Sequence, residues 1–134
     1  MVESIVGADD VETQLFEWGT IKWLSKPRIT DAKRFSAGVV VIESGKGHLK
    51  HAHPGVEEVL YVISGKGDQM VAGKRKIISA GMLVHIPPGV EHETINVGWE
   101  PLKIFAVYSP PGPEEELGNS PECTTIPAGE IPKK

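Results

Sequence analysis

Three histidines, one glutamate and a framework of glycines and prolines recur in two short segments at spacings that leave the chain few folds to choose from. The first segment runs Gly45, five residues, His51, one residue, His53, four residues, Glu58, six residues, Gly65. The second runs Gly81, five residues, Pro87, one residue, Gly89, two residues, His92, three residues, Asn96. Side chains alternate faces along a strand, so His51 and His53 point the same way. A turn at Pro54-Gly55 returns the chain so that Glu58 can join them from the next strand. Neutral imidazoles with one carboxylate suit a borderline divalent transition ion such as iron, manganese, nickel, copper or zinc. His92, brought in from a distant strand, completes the set.

The segments GKGHLKHAHPGVEEVLYVISG and GMLVHIPPGVEHETIN resemble the two motifs of the cupin superfamily, with every fixed position filled at family spacing. The resemblance covers residues 36–110. It implies an all-β fold, the double-stranded β-helix or jelly-roll-like barrel of a small cupin, and one divalent transition metal held by His51, His53, Glu58 and His92. A fold of this kind does not name a reaction, because cupins include dioxygenases, decarboxylases, isomerases, lyases and non-catalytic binding domains.

At 134 residues and a formal net charge of −4 the chain reads as one domain with no broad basic face, which argues against a nucleic-acid partner. The run Lys74-Arg75-Lys76 fits a solvated hairpin strand. The single Cys123 cannot form an intrachain disulfide, the first residues lack the pattern of a signal peptide, and no stretch of 18 apolar residues is present. These features predict a soluble cytoplasmic protein with no membrane contact.

Three regions are expected: an N-terminal strand extension over 1–34, a barrel over 35–110 and a Pro-rich tail over 111–134. Residues 15–24 read as one leading strand with a kink at Gly19, which in small cupins often pairs with a partner subunit. Residues 27–33 read as a connector and 35–43 as a buried strand. The sequence DQMVAGKRKII predicts a hairpin turning at Ala72-Gly73. Residues 83–87 and 91–97 read as a strand pair joined at Pro88-Gly89, and 102–109 closes the barrel. Six of the eleven prolines fall in the last 25 residues, which disfavours sheet and helix alike there; the tail is either loose or wraps the barrel through Leu117, Ile126 and Ile131. Between Glu58 and Ser64, Leu60 and Val62 share the ligand face while Val59, Tyr61 and Ile63 face outward. An apolar outer face requires a cover, and together with Trp18 and Trp23 it predicts a homodimer.

The remaining candidates carry weaker signals. Gly45, Gly65, Gly81 and Gly89 read as positive-φ turns, and Asn96 as a strand-end hydrogen-bonder. His48 reads as a surface residue. His85 is placed either in the barrel as an acid or base or at an interface, and Gln69 or Thr94 as hydrogen bonders near the ion. Glu114-Glu115-Glu116 reads as a solvated charge run, and no second interior carboxylate is assigned. The functional expectation is a metal-dependent enzyme acting on a small polar chelating substrate: an oxo or hydroxy acid, a sugar or an enolised diketone. Its reaction would be oxygenation, isomerisation or decarboxylation. The alternative is a non-catalytic cupin that binds a carboxylate or sugar.

Overall fold

A computed structural model describes residues 3–133 and, for Leu49, the backbone alone. Two antiparallel sheets face each other. The larger has the order β11-β1-β2-β3-β10-β5-β8 and the smaller the order β4-β9-β6-β7. Their strands are β1 (Thr13–Phe16), β2 (Gly19–Ser25), β3 (Ser36–Ile42), β4 (Gly47–His51), β5 (Glu57–Ser64), β6 (Lys66–Val71), β7 (Lys74–Ser79), β8 (Leu83–Ile86), β9 (His92–Asn96), β10 (Leu102–Ser109) and β11 (Thr124–Ile126). Successive strands repeatedly cross between the sheets, which makes this a jelly-roll-like sandwich. The core fills the gap with residues of period two, among them Leu60 and Val62 of β5 and Leu102, Ile104 and Ala106 of β10. Each Val, Leu or Ile side chain so buried contributes about 1.5–3 kcal/mol.

Turn chemistry sets the connections. Gly45, Gly65, Gly81 and Gly89 all have positive φ, as expected. The β6–β7 hairpin turns at Ala72-Gly73, where both residues have positive φ as a two-residue hairpin turn requires. Among the described residues no helix is long and apolar enough to cross a membrane.

Several expectations need correction. Residues 15–24 form not one kinked strand but a hairpin, β1 and β2 turning at Glu17-Trp18, and it pairs within its own chain: β2 with β3, β1 with β11. Gly19 is required by close approach, since a Cβ there would stand 1.9 Å from the Val41 carbonyl oxygen. The strands at 83–87 and 91–97 are not paired; β8 lies on β5 in the large sheet and β9 between β4 and β6 in the small one. The connector after β2 includes a short helix, α1 (Pro27–Thr30). The tail is also ordered, as α2 (Pro113–Gly118) and β11. Proline breaks elements from inside, but Pro113 occupies the first turn of α2, where its missing N–H costs nothing.

The tail packs through Leu117, while Ile131 stays exposed. Within the charge run, Glu115 pairs with Arg28 and Lys26, and Glu114 is only 1% exposed. Its Oε1 accepts from the Gly112 N–H. A second buried carboxylate therefore exists, on the tail helix.

Candidate metal centre

Two Pro-Gly turns aim the histidines. After β4 the chain turns through His53-Pro54-Gly55-Val56, closed by the Val56 N–H donating to the His53 carbonyl (3.2 Å), with Gly55 at φ 72°. Before β9 it turns through Pro87-Pro88-Gly89-Val90, closed by Val90 N–H to the Pro87 carbonyl (3.2 Å), with Gly89 at φ 73°. Proline at the second position and positive-φ glycine at the third are what a type II turn demands. The Gly89 N–H also donates to the His53 carbonyl (3.1 Å), which ties the two sequence segments together. In β4–β9 pairing His51 lies opposite His92.

The result is a cluster. Donor atoms of His51, His53 and His92 lie within 4.8 Å of one another. Ring centroids are 4.1 Å apart for His51–His92, 4.9 Å for His51–His53 and 5.7 Å for His53–His92. Glu58 adjoins the cluster through His92, with Oε1 at 3.2 Å from Nε2 but not aligned as a hydrogen bond. His53 Nε2, His92 Nε2 and Glu58 Oε1 are all buried without a hydrogen-bond partner. The Nδ1 of His92 is 2.9 Å from the Val90 carbonyl oxygen. A carbonyl only accepts, so in the neutral ring Nδ1 carries the proton and Nε2 presents its lone pair to the cluster. Buried polar atoms without partners are costly, and three that converge, two imidazole nitrogens and a carboxylate oxygen, fit a borderline divalent ion.

Electrostatics follow from burial. Burial and, secondarily, His92 push the His53 imidazole down to about 4. Burial lowers His92 too, but the Glu58 carboxylate and the Val90 carbonyl outweigh it, leaving its pKa above the ordinary histidine value.

Two residues near the centre were not anticipated. On β4 three steps separate His48 from His51, whereas their partners Thr94 and His92 on β9 are two apart. The extra residue is a β-bulge, which puts two residues of odd spacing on the same face. His48 is thus only half-exposed and turned toward the centre: its ring lies 4.0 Å from that of His51 and stacks on Trp18 at 4.9 Å. Burial, then the neighbouring imidazoles, pushes His48 down to about 3. The second residue is Tyr108, the cross-strand neighbour of Glu58 on β10. It is buried, its ring meets His53 edge-on at 5.3 Å, and burial with the neighbouring Glu58 holds its phenol well above the ordinary tyrosine value. Neither position follows from strand alternation alone; the bulge and the β5–β10 register decide them.

Other candidates lie elsewhere. His85 points outward and pairs with Glu57 on the large sheet, so it does not enter the barrel. Gln69 and Thr94 are buried, with the Thr94 hydroxyl donating to Gln69 Oε1 (2.5 Å). Asn96 bonds backbone at the end of β9, as expected. A cleft of about 740 Å³ between the β1–β2 turn and the start of β4 is bounded by Phe16, Trp18, Lys46, His48 and Lys50 and reaches His51.

Residues 38–108, more than half of the chain, match the cupin domain family. The protein belongs to the cupin family. Among relatives of this cupin, Protein SchB of Streptomyces halstedii is 29% identical over 95% of this chain and 94% of its own. A glucose-6-phosphate isomerase of Thermococcus kodakarensis is 38% identical over 68 residues, which cover 47% of the cupin and 35% of the isomerase. The fold matches that of an RmlC-like cupin from Shewanella frigidimarina with a TM-score of 0.73 at 21% identity, covering 84% of this chain and 96% of the other.

Proposed function

We propose that this cupin is a metal-dependent enzyme acting on a small, polar, chelating substrate: an oxo or hydroxy acid, a sugar or an enolised diketone. The observation that carries the reading is the convergence of three imidazoles beside a buried glutamate. His51, His53, His92 and Glu58 would hold one divalent transition ion. When bound, the ion would polarise a carbonyl, enol or carboxylate oxygen of the substrate. Four protein donors leave room on an ion that prefers five or six. Leu60 and Val62 give the interior an apolar wall, and a cleft of about 740 Å³ suits a ligand of sugar size. The isomerase relative adds support for a hydroxy-carbonyl substrate.

The alternative is a non-catalytic binding module, in which the same centre would hold a carboxylate or sugar without turnover. The reading also includes a second copy of the chain. Tyr61, Ile63 and Leu83, exposed by 44, 43 and 61%, stand with Phe105 and Val107 on the outer face of the large sheet, an apolar surface that a homodimer would cover.

The test has two stages. Protein purified without chelator should contain one divalent ion per chain, and His53→Ala and Glu58→Gln should each lose most of it; full stoichiometry in both variants would sink the site. A thermal titration with oxalate, 2-oxoglutarate and a neutral amide should then show acid stabilisation only when metal is present. At about 100 times the dissociation constant this amounts to roughly 2.7 kcal/mol. Stabilisation with no turnover of any oxo acid, hydroxy acid or sugar would select the binding module.

A further inference from the structure

Glu58 is the only non-histidine donor of the proposed set, so what orients it matters. A glutamate's terminal torsion is soft, and burial by itself does not choose which oxygen faces the imidazoles. The neighbours do. Across the sheet, Tyr108 on β10 is in register with Glu58 on β5, and Ile86 on β8 flanks the other side. Ile86 is apolar and offers no hydrogen bond. Tyr108 is the polar member of the two neighbours and is buried like Glu58, while Glu58 Oε1, 3.2 Å from His92 Nε2, has no hydrogen-bond partner.

Tyr108 is itself fixed. Its ring sits between Trp23, 5.5 Å away and tilted by 44°, and His53, 5.3 Å away and nearly edge-on. Trp23 is held in turn by its indole N–H donating to Gln14 Oε1 (2.9 Å), and the Gln14 amide donates to the Glu114 carbonyl (3.0 Å). The ordered tail is thus linked by Gln14 and Trp23 to the ring beside Glu58.

Resting on the reading of Glu58 as a ligand, we propose that Tyr108 is a positioning residue: it holds the Glu58 carboxylate by its hydroxyl and so presents Oε1 to His51, His53 and His92. An outer partner of this type orients a ligand that would otherwise rotate away, and its loss costs roughly tenfold to a hundredfold in metal affinity.

The experiment is a Zn²⁺ titration of the full chain against a competing chelator, for wild type, Tyr108→Phe, Glu58→Gln and the double variant. Tyr108→Phe removes one oxygen and keeps the ring contacts to Trp23 and His53. It should weaken Zn²⁺ binding by about tenfold or more in the wild-type background and by less than about twofold in the Glu58→Gln background, because the hydroxyl acts through that carboxylate. Unchanged affinity in Tyr108→Phe, with Glu58→Gln impaired, would overturn the role of Tyr108 and leave the metal centre standing. An equal loss in both backgrounds would also overturn it, since the hydroxyl would then act independently of Glu58. Wild-type affinity in Glu58→Gln, or no binding by the wild type, would overturn the ligand assignment and this inference with it.

Discussion

Replacing Asn96 by alanine separates a structural motif residue from a site residue. Asn96 closes the second sequence segment, shares a face with His92, and is 1% exposed. Its Nδ2 donates to the carbonyls of Ile42 (2.9 Å) and Glu100 (2.7 Å), and its Oδ1 accepts from the Gly98 N–H (2.8 Å). The side chain thereby pins the end of β9 in the small sheet to the end of β3 in the large one and to the loop before β10. Three hydrogen bonds at a net value of about 1 kcal/mol each, with buried carbonyls left unsatisfied, give a loss of about 3 kcal/mol. For a chain of this length that corresponds to a fall in Tm of about 10 °C, read by thermal unfolding in the presence of chelator. Asn96→Asp should be no better, because it presents a negative charge to two carbonyl oxygens. Zn²⁺ affinity of the folded Asn96→Ala protein should match wild type. A Tm shift under about 3 °C, or a tenfold loss of affinity without destabilisation, would refute the structural assignment.

The remaining predictions concern the centre and the outer face. Metal and proton compete for the same atom of His92, whose pKa is raised, so Zn²⁺ affinity should decline as pH falls through that value and approach one decade per pH unit below it. His53, pushed down to about 4, should not contribute until far lower pH. A competition titration from pH 8 to 5 with flat affinity would exclude this coupling. Sedimentation equilibrium should report about twice the 14.5 kDa chain mass, and a Tyr61→Lys, Leu83→Lys double variant should return it to monomer; a monomeric wild type at micromolar concentration would remove the basis for the dimer.

Much of the centre could be read from the chain because its information is local. The separation of His51 and His53 by one residue, the return to Glu58 across Pro54-Gly55, and the turn that launches His92 all depend on strand alternation and turn chemistry. Both act over a few residues. The positive φ values at Gly45, Gly65, Gly81 and Gly89 follow the same logic, as does the inward parity of Leu60 and Val62.

His48, Tyr108 and Glu114 were hidden for different reasons. A single inserted residue in β4 reverses the face on which His48 stands, and nothing in the local sequence marks the bulge. Tyr108 lies fifty residues beyond Glu58 and meets it only because β10 pairs with β5 in that register. Glu114 sits in a run that looks solvated until the tail folds over the barrel. The leading segment shows the same limit, because alternation cannot tell a kinked strand from a tight hairpin whose turn is fixed by contact with Val41. By itself, then, the sequence determined the all-β class, the two turns and the identity of the clustered histidines, since these rest on short-range stereochemistry. Register, bulge and the docking of the tail were decided by the tertiary structure, because they depend on which distant strands bury their faces together.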